Sequence, residues 1–85
     1  PIIVGNLIFT VSENGYLFTI QKNEGTIVRI NDVYKNFDLK KRKKIKPTGF
    51  NIGNNNLYLT NSDGNIIVVN LSTGNVLKVE KLAEI

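Results

Sequence analysis

"NSDGNIIVVNLSTGNVLKV", running from Asn61 to Val79, is close to a second writing of "SENGYLFTIQKNEGTIVRI", which runs from Ser12 to Ile30. Setting the longer stretches "NLIFTVSENGYLFTIQKNEGTIVRI" and "NLYLTNSDGNIIVVNLSTGNVLKV" side by side pairs Leu7 with Leu57, Thr10 with Thr60 and Ser12 with Ser62, a separation of 50. One extra residue in the first copy then changes the separation to 49, and Gly15 meets Gly64, Ile20 meets Val69, Gly25 meets Gly74 and Arg29 meets Lys78. Self-similarity at a period of roughly 20–50 residues marks solenoids, propellers and arrays, in which one unit cannot bury its apolar face alone.

Each copy reads as strands cut by turns. Asn14-Gly15 and Asp63-Gly64 are hairpin signals, because tight turns demand a positive φ that Gly accepts without strain. "KNEG" and "LSTG" supply a second turn in each copy, with Gly25 and Gly74 at the left-handed position. The stretches between, "YLFTIQ", "TIVRI", "NIIVVNL" and "NVLKVE", have strand length and are rich in β-branched and aromatic residues. "LIFTV" and "IIVVNL" are nearly continuous apolar runs, which predicts burial on both faces, whereas the charge interspersed in "TIVRIN" and "VLKVEKL" predicts half-exposed edges. A Pro-led segment stands ahead of each copy, "PIIVGN" at Pro1–Asn6 and "PTGFNIGNN" at Pro47–Asn55, as a short innermost strand would. No apolar stripe at helical spacing persists over about ten residues, so a helix is expected only as a terminal turn near "KLAEI".

The pieces "NLYLTNSDGNIIVVNLSTGNVLK" and, more loosely, "NLIFTVSENGYLFTIQKNEGTIVR", each behind its Pro-led strand, resemble the pyrroloquinoline-quinone-type propeller repeat over about two thirds of the chain. That repeat usually closes with Trp after the second Gly, where Arg29 and Lys78 stand here. The expected fold is all-β: two tandem four-stranded antiparallel blade repeats, 1–46 with a basic inter-blade segment and 47–85. Propellers use about four to eight blades. Two blades are therefore expected to belong to a larger propeller or to one completed by association. Without an initiator Met, basic leader or cleavage motif at its start, the chain is expected to be processed or excised from a longer one.

Composition removes several classes of chemistry. The 85 residues include no Cys, His or Trp, so disulfides, thiolate metal sites and the usual general base are all missing. The longest apolar runs fall far short of the roughly 18 residues of a membrane-spanning helix. Six Lys and one Arg against Asp38 give Lys35–Lys46 a local +6 in a chain of net +4, leaving −2 elsewhere.

"KKRKKIK" holds the candidate anion-binding residues Lys40, Lys41, Arg42, Lys43, Lys44 and Lys46, whose combined charge suits phosphate on nucleic acid or lipid. The expected reading is plainer: a solvated loop or outer strand between blades, with nucleic acid not the favoured partner. Tyr34 and Phe37 lie near the run but do not interleave it as a single-strand stacking surface requires. "NSDGN" at Asn61–Asn65 alternates oxygen side chains like the start of a calcium loop, but it lacks the downstream Glu and is expected to be a hairpin turn. Asn70-Leu71-Ser72 fits the glycosylation acceptor pattern, while the Asn, Lys and Ile bias suits a bacterial protein from an AT-rich genome.

The expected role is a non-catalytic scaffold for protein–protein interaction, with no cofactor, no metal and only indirect membrane contact. Its partners are other proteins or the remaining blades of the same propeller, with self-association if the fragment stands alone. The resemblance implies the periplasm or outer membrane of a Gram-negative bacterium, where an outer-membrane-assembly lipoprotein of this family presents rim loops and edges to partners. It also implies the rival role, a fragment of a quinone-dependent dehydrogenase. No quinone or calcium ligand of that kind is recognisable in the sequence.

Overall fold

The computed structural model describes residues 1–81. The first half is a four-stranded sheet of β1 (Ile2–Val4), β2 (Leu7–Val11), β3 (Tyr16–Gln21) and β4 (Ile27–Asp32). A linker carrying α1 (Leu39–Lys44) leads to a second sheet of β5 (Pro47–Gly53), β6 (Asn56–Asn61), β7 (Asn65–Asn70) and β8 (Val76–Lys81). Both sheets are antiparallel meanders in which every strand pairs with its neighbours in sequence. The described residues are all-β with one short helix. The terminal turn expected near Lys81–Ile85 falls, beyond Lys81, outside the described residues.

The two sheets are copies at one constant separation of 49 residues, the distance from Gly15 to Gly64. The Gly15 N–H donates to Ser12 O at 3.1 Å, and the Gly64 N–H to Asn61 O at 3.0 Å. In the next turn, Gly25 N–H reaches Gln21 O at 2.8 Å, and Gly74 N–H reaches Asn70 O at 2.7 Å. Even the register break between Thr19 and Ile20 recurs between Val68 and Val69. This corrects the sequence alignment ahead of the first turn. Ser12 corresponds to Asn61 rather than Ser62, and Leu7 to Asn56 rather than Leu57, with no extra residue in either copy. Matching letters had outweighed turn geometry, and in a strand a one-residue slip exchanges the two faces.

The corrected register shows how the sheets stack. Phe9 and Leu17 of the first sheet pack in one core with Leu57, Leu59, Ile67 and Val69 of the second. Phe9 is the counterpart of Tyr58, not Leu59, so the face the first sheet buries corresponds to the face the second leaves open. The stacking is front to back. Each fully buried Leu in this core contributes about 1.5–3 kcal/mol relative to exposure. Ile67, Val68 and Val69 are all buried, as the run "IIVVNL" predicts, whereas in "LIFTV" only Phe9 is; β4 is a half-exposed edge and β8 a mostly exposed one.

The helix is a second correction, since the basic run was expected to be a loop or outer strand. Asp38 caps α1, its carboxylate accepting the Lys41 N–H at 2.8 Å. Leu, Lys and Arg are good helix formers, and cations in the last turn complement the helix dipole. Ile45 ends the helix in an extended conformation and is buried, and Pro47 opens β5. A six-residue helix is too short for apolar periodicity to reveal.

Candidate functional site

The linker draws the most chemistry together. Val33 and Tyr34 leave β4 and enter the core between the sheets. The Tyr34 ring lies where a Cβ on Gly15 would sit, so that Gly, at φ +89°, is required by close approach as well as by backbone. The Tyr34 hydroxyl donates to Asn61 Oδ1 at the end of β6. The Asn61 amide nitrogen in turn donates to Leu59 O at 3.2 Å and Asn65 O at 3.3 Å. Burial first, and the Asp63 carboxylate second, push the Tyr34 pKa up to about 12.

α1 lies over both hairpin tips, with side chains lining one depression beside Asp63 and another beside Glu13. The first, of about 460 Å³, is lined by Lys40, Lys41 and Lys44 together with Asp38 and Asp63. The second, of about 660 Å³, is lined by Arg42, Lys43 and Lys46 together with Glu13 and Asn14. The six candidate cations therefore do not form a single patch. They divide three and three around the helix, each set facing carboxylate.

Two of the six are engaged within the chain. Arg42 grips Asp32 bidentately, at 2.9 and 3.0 Å, and its guanidinium stands 5.9 Å from the Tyr16 ring centroid. The hydrogen bond it donates to Asp32 holds the Arg42 pKa above its ordinary value. Asp32 also accepts the Tyr34 N–H at 3.1 Å, so one carboxylate secures both helix and linker. Lys41 lies 3.7 Å from Asp63 and 4.6 Å from the Phe37 ring centroid. Lys40, Lys43, Lys44 and Lys46 have no ion-pair partner among the described residues.

The remaining sequence candidates are turn residues. Gly15, Gly25, Gly64 and Gly74 all have positive φ. Asn54 and Asn55 share that conformation in the β5–β6 turn, where the sequence signals a Gly-Asn turn but not which residues take positive φ, a region in which Asn is enriched. The Asp63 carboxylate accepts from both the backbone and the side-chain nitrogen of Asn65, at 3.1 and 2.7 Å. Asn70 Oδ1 accepts the Ser72 and Thr73 N–H groups at 2.9 and 3.1 Å, and so caps its turn. The Ser12 hydroxyl is likewise occupied in its turn, and the Ser62 hydroxyl accepts the Lys46 N–H at 2.9 Å.

The two outward sheet faces form the other candidate surface. On the first sheet, Ile3, Ile8, Ile20 and Ile27 stand opposite one another in a single cross-strand row. Phe18 and Ile30 extend that face, and Ile3 and Ile30 are 56% and 53% exposed. On the second sheet, the outward row is Asn51, Tyr58, Val68 and Lys78. It borders a groove of about 550 Å³ lined by Gly49, Asn51, Tyr58, Thr60 and Ile66. Uncovered blade faces and self-association are expected from the repeat, but the side chains that line each face are fixed only once the separation of 49 extends ahead of Gly15.

No protein-family model matches the chain, and a search of curated proteins finds no match.

Proposed function

We propose that the chain is a two-blade segment of a quinoprotein-like β-propeller that serves as a non-catalytic scaffold for protein–protein interaction in the bacterial envelope. The observation that carries this reading is the front-to-back stacking of two equal four-stranded meanders with an isoleucine row left open on the first. A blade stacked this way buries one face and requires a neighbour for the other. The envelope location follows from the resemblance of the glycine-flanked repeats alone and is part of the proposal. The phosphate alternative draws less support, because Lys41 and Arg42 are paired internally and the other four cations stand among Asp38, Asp63 and Glu13.

A scaffold segment with an uncovered apolar face gains stability whenever that face is occupied. Its melting temperature should rise with chain concentration, as mass action requires of any association that favours the folded state. Thermal melts over a hundredfold range of concentration, read by circular dichroism, test this. A midpoint independent of concentration would count against the scaffold reading.

A further inference from the structure

Resting on the scaffold reading, we infer that the open face of the second sheet receives the open face of the first sheet of another copy of this chain, so that copies join head to tail. The template is the interface inside the chain. There the second sheet contributes the row Ile52, Leu57, Val69, Val76 and, beside it, Phe50, Leu59 and Ile67. At the constant separation of 49, the first of these corresponds residue by residue to the exposed isoleucine row, with Ile3 answering to Ile52 and Ile27 to Val76. Phe18 answers to Ile67. The open face of the first sheet is thus built like the face that the second sheet already buries.

The receiving face matches in the same way. The first sheet buries Phe9, Leu17 and Thr19 and sends Arg29 across to the other sheet. Their counterparts on the outward face of the second sheet are Tyr58, Ile66 and Lys78, with Val68 between them already buried within the chain. Arg29 donates to the Leu71 and Ser72 carbonyls at 2.9 and 2.7 Å and to Asn31 Oδ1 at 3.1 Å. Lys78 repeats the local half of that arrangement, 2.8 Å from Glu80 Oε1, where Glu80 answers to Asn31. Its cation is in position for the carbonyls of Lys22 and Asn23 in the next copy, the counterparts of Leu71 and Ser72. Gly74 is packed against Asn31, whereas nothing lies within 4 Å of a Cβ built on Gly25, its counterpart. That opening is where Glu80 of the next copy would lie.

The two faces are unlike, so the contact is heterologous and either closes into a ring or runs on. A ring of about four to eight blades would contain two to four copies.

Two blocked variants test the inference by sedimentation and light scattering. Ile3→Lys with Ile30→Lys closes the first face, and Ile66→Lys with Lys78→Glu closes the second. Each alone should run at the 9.5 kDa monomer mass, and an equimolar mixture should form a 1:1 species of twice that mass. Dimerisation of either variant by itself would overturn the head-to-tail contact while leaving the scaffold reading intact. A wild-type chain that stays monomeric at every concentration would overturn both.

If a blocked variant fails to fold, cross-linking at exposed positions decides. A mixture of Lys78→Cys and Asn23→Cys chains treated with a short bis-maleimide should give several-fold more dimer than either chain alone. Equal yield from the unmixed chains would refute the contact.

Discussion

The Tyr34 hydroxyl donates to Asn61 Oδ1, and through that one bond the linker leaving the first sheet is tied to the end of β6 in the second. Both groups are buried, and the Asn61 amide completes the network on two backbone carbonyls. Tyr34→Phe would leave the Asn61 oxygen short of a donor. The expected cost is about 1–3 kcal/mol in urea denaturation.

The same hydroxyl gives alkaline stability a defined window. Its folded pKa of about 12 lies above the unfolded value of 10.0, so the fold favours the neutral phenol. That contribution is complete below about pH 10 and is lost as pH rises through about 12, at up to about 1.4 kcal/mol per pH unit. Urea melts of wild type and Tyr34→Phe across that range should converge as pH rises. A gap that stays constant would show that the phenol does not titrate this way.

Gly25 and Gly74 occupy equivalent turns, at φ +68° and +77°, and differ in what surrounds them. A Cβ at position 74 would strike the Asn31 side chain, while one at position 25 meets open space. In dilute solution Gly25→Ala should show only the left-handed backbone penalty of about 1–2 kcal/mol. Gly74→Ala should lose at least about 1 kcal/mol more, and Asn31→Ala in the same chain should recover part of that difference.

Thr19 is buried with its hydroxyl lacking any partner among the described residues, and its counterpart in the second sheet is Val68. Val has the same shape without the unsatisfied oxygen. Thr19→Val should therefore stabilise the chain by about 1 kcal/mol, read as a higher denaturation midpoint at unchanged slope. A loss of stability would mean that the hydroxyl has a partner in solution.

Replacing Lys40, Lys43, Lys44 and Lys46 with Ser removes the whole formal charge of +4 and breaks no ion pair among the described residues. The stability should fall by no more than about 2 kcal/mol, at about 0.5 kcal/mol per exposed site, as α1 loses good helix formers and its last-turn cations. Wild type should leave heparin between about 50 and 200 mM salt, as diffuse charge does. Retention well beyond that range, lost in the variant, would restore phosphate binding as the role of the helix.

Much of this architecture is legible in the residues. The glycine pairs mark the turns because positive φ excludes most other side chains, and the unbroken apolar run at Ile66–Val69 identifies an inner strand whose Ile67, Val68 and Val69 are buried. The charge in β4 and β8 marks them as edges. The register ahead of the first turn is not legible from letters, because Leu, Thr and Ser recur on both faces of a strand and only the hydrogen bonds of Ser12–Gly15 and Asn61–Gly64 choose between offsets. α1 is hidden for another reason. Its stability comes from the Asp38 cap and the Arg42–Asp32 pair, neither of which leaves a periodic signature. Nor does the run of cations announce its division into two sets, since that depends on where the helix axis lies over the hairpin tips.

The meander topology also bears on how the chain reaches this state. Because every strand pairs only with its sequence neighbours, each sheet can zip up from short loops whose closure entropy is small. The long-range step is the docking of one finished sheet on the other, with Tyr34 and Ile45 supplied by the segment that joins them. Mutations in that segment should therefore slow refolding, while those in the hairpin tips chiefly change how fast the native chain comes apart.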